Sequence, residues 1–151
     1  MNQIKYREGY KYQLAEDYSI ETGITGSVLL GDFLALDPSG LLTIKRGYAW
    51  DGMSGPVPDT PENMRASLVH DALYQLMRMG VLPPEAKAAA DDLMHDILLK
   101  DGYHAFRAWV CHQGVDRFGE PHTLPENRKP ILTAPLAEVV DHSVDVEAGD
   151  R

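Results

Sequence analysis

A single cysteine, Cys111, leaves no second thiol for a disulfide within the chain. Stability must therefore come from packing alone, and the composition suits folding in a reducing compartment. No apolar run approaches the length of a membrane span, and the N-terminal MNQIKYREGYKYQ lacks the apolar stretch of a signal peptide. A soluble protein without signal peptide or transmembrane segment is expected, and any contact with lipid is peripheral. Cations are the minority charge, 14 Lys and Arg against 23 Asp and Glu, for a formal net charge of -9. That balance argues against holding nucleic acid by overall electrostatics, and it is compatible with binding a divalent cation. What remains is ordinary for a globular chain: 151 residues, 44% hydrophobic and 25% charged, enough for one domain with a real core.

Residues from Tyr10 to about Trp50 are rich in Tyr, Ile, Val, Leu and Thr and are interrupted by turn residues, the pattern of short strands. The clearest turn is DPSG, Asp37 to Gly40, which predicts a hairpin joining Phe33–Leu36 to Leu41–Lys45. WDGMSGPVPDTP, Trp50 to Pro61, carries too many Gly and Pro for regular structure and reads as a loop leading into the helices. Three helices are predicted beyond it. The first runs from about Glu62 to Met79 and stops at Gly80; the second starts at Pro83 or Pro84 and ends near Asp101–Gly102; the third lies within YHAFRAWVCHQGVDRFG and stops at Gly119. The spaced prolines after Pro121 predict an extended arm whose order comes only from partners. The expected architecture is α+β: a single domain over 1–120, β-rich over 1–50, a loop over 51–61 and a helical bundle over 62–119, then a C-terminal arm over 121–151.

The first helix carries RASLVHDALYQLM. At about 100° per residue, Ala66, Val69, His70, Leu73, Tyr74, Leu76 and Met77 share one broad face, and Asp71 points elsewhere. On the second helix Ala86, Ala89, Ala90, Leu93, Met94 and Ile97 form the apolar stripe, bordered by Asp91 on the Met94 side and by Asp92 on the far side. The short link between these helices makes them antiparallel neighbours. His70 then meets Asp91 and not Asp92. Two readings stay open for the pair: a satisfied core histidine beside a helix-surface acid, or a carboxylate that fixes one imidazole nitrogen and leaves the other as a general base. Asp51 and Asp71, with loop carbonyls around Gly52, are either turn residues or oxygen ligands for Ca²⁺. Other constellations carry less. Ser54 in GMSG lacks the spacing of a nucleophile elbow, Cys111 and His112 diverge on their helix, and a zinc site using His70 and His95 has no paired-Cys or HExxH signature.

DGMSGPVPDTP, HDALY and AADDLM together resemble the phospholipase A2 superfamily, especially its compact bacterial branch. The resemblance implies His70 as the base that activates water, Asp91 as its orienting partner and Tyr74 as support for that carboxylate. It also implies Ca²⁺ held by Asp51, Asp71 and the backbone at Gly52. Met53 and Ser67 stand where those enzymes place the cysteines that staple loop to helix. Over a longer span, about Tyr10 to Leu99, GYAWDGMSGP, VHDALY and ADDLM resemble a family of small tailed-phage proteins. That resemblance implies a phage virion or host-cytoplasm setting. The expected function is a phage-associated, calcium-dependent hydrolase acting on phospholipid esters. The alternatives are a non-enzymatic tail or baseplate component, whose arm binds other structural proteins or a second copy, and a metal-dependent amidase or peptidase.

Overall fold

The computed structural model describes residues 4–6, 10–127 and 131–134. In chain order the strands and helices are β1 (Ile4–Tyr6), β2 (Tyr12–Gln13), β3 (Tyr18–Glu21), β4 (Leu29–Leu30), β5 (Leu34–Leu36), β6 (Leu41–Ile44), β7 (Ala49–Trp50), α1 (Pro61–Arg78), α2 (Ala86–Lys100), α3 (Ala105–Phe118) and β8 (Leu132–Ala134). The class is α+β, with antiparallel hairpins and three helices. The chain divides into two units, Gly9–Arg128 and a smaller one made of Met1–Glu8 with Lys129–Arg151. In the smaller unit β1 pairs antiparallel with β8, Lys5 opposite Thr133. The expected arm residues 135–151 lie outside the described residues.

The larger unit is built on an antiparallel sheet of order β3-β6-β5-β4. Alternation decides its faces: Leu34, Leu36, Leu42 and Ile44 are buried, whereas Ser19 and Thr43 pair their hydroxyls at 2.9 Å on the outer face. The β5–β6 hairpin turns at DPSG as predicted. Asp37 Oδ1 accepts from the Ser39 amide, the Ser39 hydroxyl and the Leu41 amide, and the Ser39 hydroxyl does most to hold that carboxyl below its ordinary range. A separate short pair, β2–β7, sets Tyr12 opposite Trp50 with ring centroids 5.5 Å apart.

Helix α1 is buried more widely than one amphipathic face requires. The predicted face from Ala66 to Met77 is buried throughout, but so are Asn63, Ser67, Leu68 and Ala72. The reason is that α1 is covered on a second side by the β portion. Trp50 Nε1 donates to Ser67 Oγ at 3.1 Å and the Tyr48 hydroxyl to Gln75 Oε1 at 3.0 Å, while Arg65 bonds both the Tyr18 hydroxyl and the Asp101 carboxylate. At the start of α1, Asn63 Oδ1 accepts from the Thr60 amide and Asn63 Nδ2 donates to the Pro58 carbonyl. At its end Gly80, with φ 75°, lets Val81 N donate to Leu76 O and Gly80 N to Met77 O, the paired bonds of a Schellman motif. The same pattern closes α2, from Tyr103 N to Leu98 O and Gly102 N to Leu99 O.

Three details depart from the sequence expectation. Pro83 and Pro84 stand in the connecting turn, their carbonyls accepting from Ala86 and Lys87, so α2 begins at Ala86. The buried stripe of α2 is rotated: Ala89 is exposed and Leu93 half-buried, while Asp91 and Leu98 are inside. And the chain does not leave the helices at Pro121. Two 3₁₀ turns, Glu120–Thr123 and Pro125–Asn127, follow α3 and pack on α1, with Thr123 buried and the Arg78 guanidinium donating to the His122 carbonyl. Capping explains it, since Thr123 Oγ1 donates to Glu120 O and Asn127 Nδ2 to Pro121 O, so the prolines sit in bonded turns.

Candidate functional site

His70 and Tyr74 lie four residues apart on α1, and Lys87 and Asp91 four apart on α2, so each pair shares a helix face. Where the faces meet, Asp91 collects every donor. His70 Nε2 lies 2.8 Å from Oδ1, the Tyr74 hydroxyl donates to the same oxygen at 2.6 Å, and Lys87 Nζ donates to Oδ2 at 2.7 Å. Lys87 also donates to the carbonyls of Val115 and Asp116 near the C-terminal end of α3, so its ammonium joins α2 to α3 while Asp91 joins α2 to α1. Asp91 is 0% exposed and His70 4%. Asp92, one residue on, is exposed and bonds His112 Nε2 at 2.8 Å instead. The helical period thus separates the two acids as the sequence projection anticipates.

Electrostatics assigns the protons. Burial alone pushes the Asp91 carboxyl up, but the bonds from His70, Lys87 and Tyr74 outweigh it and hold the group below the ordinary carboxylate range. Burial lowers His70 against the opposing pull of Asp91, so the ring is neutral at pH 7. Tyr74 is raised, by burial first and then by its bond to Asp91, and stays a phenol. With Asp91 ionised, the shared proton belongs on Nε2, and the imidazole lone pair is left on Nδ1. This is the arrangement a general base requires. The turn after α3 lies against the same face of α1: Gly119 packs on the Tyr74 hydroxyl, and His122 acts electrostatically on His70.

The loop of Trp50 to Pro61 is organised by a residue the sequence did not single out. Asp59 Oδ1 accepts from the Met53 amide at 2.9 Å and Oδ2 from the Tyr12 hydroxyl at 2.7 Å. The Tyr12 bond holds the Asp59 carboxyl below its ordinary range. Gly52 is buried, with φ 85°, and its missing side chain is where the Asp59 carboxylate sits. Asp51 Oδ1 accepts from the Lys11 amide at 3.1 Å. Asp51 and Asp71 both act electrostatically on the buried Tyr48 phenol, which burial raises first. Among the described residues no group of three or more His, Cys, Asp or Glu side chains is gathered to hold a metal. Ser67, standing where the resemblance places a cysteine, joins loop to helix by accepting from Trp50 Nε1 and donating to Met64 O.

The remaining candidates separate. The His95 ring packs edge-on against His112, 5.6 Å between centroids, while His70 packs against Tyr74 at 4.0 Å. Those two histidines thus have different partners. Burial raises the Cys111 thiol, the opposite of an activated nucleophile, and Ser54 is exposed on the loop. Lys87 was missed, although its i,i+4 spacing to Asp91 is legible in KAAAD.

Fold and site together define an α+β protein whose two long helices are bridged by a buried His–Asp–Tyr–Lys network. The family model described as Protein of unknown function (DUF1353) matches residues 28–115, more than half of the chain, and the chain belongs to that family. The match covers all four network residues and the loop through Asp59. No curated protein and no solved structure matches the chain.

Proposed function

We propose that the protein is a phage-associated hydrolase of the phospholipase A2 type, with His70 as general base and Asp91 as the residue that orients it. The observation that carries this reading is the 2.8 Å contact from His70 Nε2 to an Asp91 carboxylate that Tyr74 also supports. In this reading Nδ1 takes a proton from water as the water oxygen attacks the ester carbonyl carbon. The bond from that carbon to the glycerol oxygen breaks, and the proton passes on to the leaving alkoxide. Asp91 stabilises the imidazolium formed in between. Asp51 and Asp71, with the Gly52 carbonyl, are the groups this reading assigns to Ca²⁺, which would neutralise charge developing on the ester oxygen. Because His70 is only 4% exposed, this reading requires the segments packed over it to give way before a substrate reaches Nδ1.

The same burial favours a second reading, a non-enzymatic virion component in which the network serves only to lock three helices together. His70→Gln separates the two. As a base, its loss lowers calcium-dependent fatty-acid release from phospholipid vesicles by roughly a hundredfold to ten-thousandfold with little change in urea unfolding. As a core histidine, the substitution instead lowers stability by about 1–3 kcal/mol. Wild-type protein that is folded, shows no thermal shift with calcium and releases no fatty acid overturns the hydrolase reading.

A further inference from the structure

Helix α3 has little apolar hold on its neighbours. It buries Ala108 and Cys111 and turns Phe106, Trp109 and Val110 outward. Two polar contacts also join it to α2. In one, Lys87 of the Asp91 network reaches the Val115 and Asp116 carbonyls. The other has no part in that network. Asp92 and His95 are three residues apart and so share one side of α2, and both stand against His112 of α3. Asp92 Oδ1 lies 2.8 Å from His112 Nε2, and the His95 and His112 rings meet edge-on at 72° with centroids 5.6 Å apart.

Two imidazoles and one carboxylate are a donor set for zinc, with water in the fourth place of a tetrahedron. The spacing suits that ion. Two imidazoles on one tetrahedral zinc, at about 2.0–2.1 Å per bond, have ring centres roughly 5 Å apart, close to the separation found here. An ion seated between Asp92 and His112 parts their ligating atoms by only roughly half an ångström. As they stand, the three side chains do not converge on one point, and His112 Nε2 is spent on Asp92. Zinc therefore has to displace that bond and draw in a ring nitrogen of His95. The groups are open enough to allow it: the Asp92 side chain is 72% exposed and that of His112 23%, and His95 is half-buried. Asp96, one turn from Asp92, and Asp116, one turn from His112, are exposed and add negative charge that attracts a divalent cation. We propose that Asp92, His95 and His112 bind Zn²⁺ and that the ion clasps α2 to α3. The site shares no residue with the His70–Asp91 pair or with the groups assigned to Ca²⁺, so it stands apart from the hydrolase reading.

The test uses the untagged full chain, stripped of metal with a chelator, and zinc chloride alone. Calorimetry gives one ion per chain, and zinc raises the thermal midpoint where magnesium, which prefers oxygen ligands, does not. His95→Gln, His112→Gln and Asp92→Asn each weaken zinc binding by at least about tenfold, whereas Cys111→Ser and His122→Gln leave it unchanged. Cobalt in place of zinc shows the visible absorption of a tetrahedral ion without the thiolate band that Cys111 would add. Each variant is first melted without metal, and its zinc-induced shift is read against that melt, so a loss of intrinsic stability is not mistaken for a lost ligand. Absence of zinc heat with an unmoved midpoint overturns the proposal. So does binding that survives all three ligand substitutions, or one ion shared between two chains.

Discussion

Asp91→Asn is the substitution to which the structure assigns the largest consequence. The carboxylate is 0% exposed and accepts from three donors, His70 Nε2, the Tyr74 hydroxyl and Lys87 Nζ. An amide keeps one acceptor oxygen and replaces the other with a donor. Whichever way it points, an N–H then faces either the ammonium or the His70–Tyr74 pair. Removing one partner of a buried ion pair costs about 3–5 kcal/mol. Lys87 keeps the Val115 and Asp116 carbonyls and its side chain is 16% exposed, which relieves part of that. A loss of about 3 kcal/mol is expected, a large share of the roughly 5–15 kcal/mol that holds a domain folded. In urea, where slopes are about 1–3 kcal/mol per molar, the midpoint falls by about 1–3 M. Asp92→Asn is the matched control: it bonds His112 and its side chain is 72% exposed, so the substitution should cost less than about 0.5 kcal/mol. Unfolding followed by circular dichroism on both variants decides the matter. An Asp91→Asn midpoint indistinguishable from wild type, or an equal loss in Asp92→Asn, refutes the argument that charge compensation at Asp91 joins the helices.

Acidification provides a second handle. His70 is lowered by burial, so below its ordinary value of about 6.5 the unfolded chain binds a proton that the folded chain does not. The contribution of this group to stability is complete above that value and is lost as pH falls toward the lowered folded value, at no more than about 1.4 kcal/mol per pH unit. Asp91, also lowered, contributes only as pH falls past the ordinary carboxylate value near 4. His70→Gln should therefore flatten the stability profile between about pH 5 and 6.5, read from urea midpoints. An unchanged slope would mean that His70 titrates as an exposed ring. In the loop, Gly52→Ala places a Cβ on the Asp59 carboxylate at a φ of 85°. The left-handed backbone costs about 1–2 kcal/mol and displacing the two Asp59 bonds about 1 kcal/mol each, so thermal unfolding should show a loss of about 3–4 kcal/mol. A neutral Gly52→Ala would show that Asp59 does not organise the loop.

Local stereochemistry was readable from the sequence because it acts over a few residues. DPSG made its hairpin, Gly80 and Gly102 closed their helices, and the helical period set Asp91 and Asp92 on different sides of α2, Asp91 on the side that meets His70. Packing against distant segments was not readable. Nothing near Asp91 in the chain says that it belongs inside the stripe of α2; Tyr74 and the α3 carbonyls bound by Lys87 make its burial tolerable, and they come from other elements. Asp59 fills the space of Gly52 only because Tyr12, far back in the sequence, donates to its other oxygen. The outward aromatic face of α3 and the turns through Asn127 were likewise decided by which surfaces α1 and α2 had left to cover. Periodicity and turn chemistry determine which residues share a face, but only the tertiary structure decides which face meets which. A buried charge is stable only where partners from several elements converge on it, and that convergence is a property of the assembled fold.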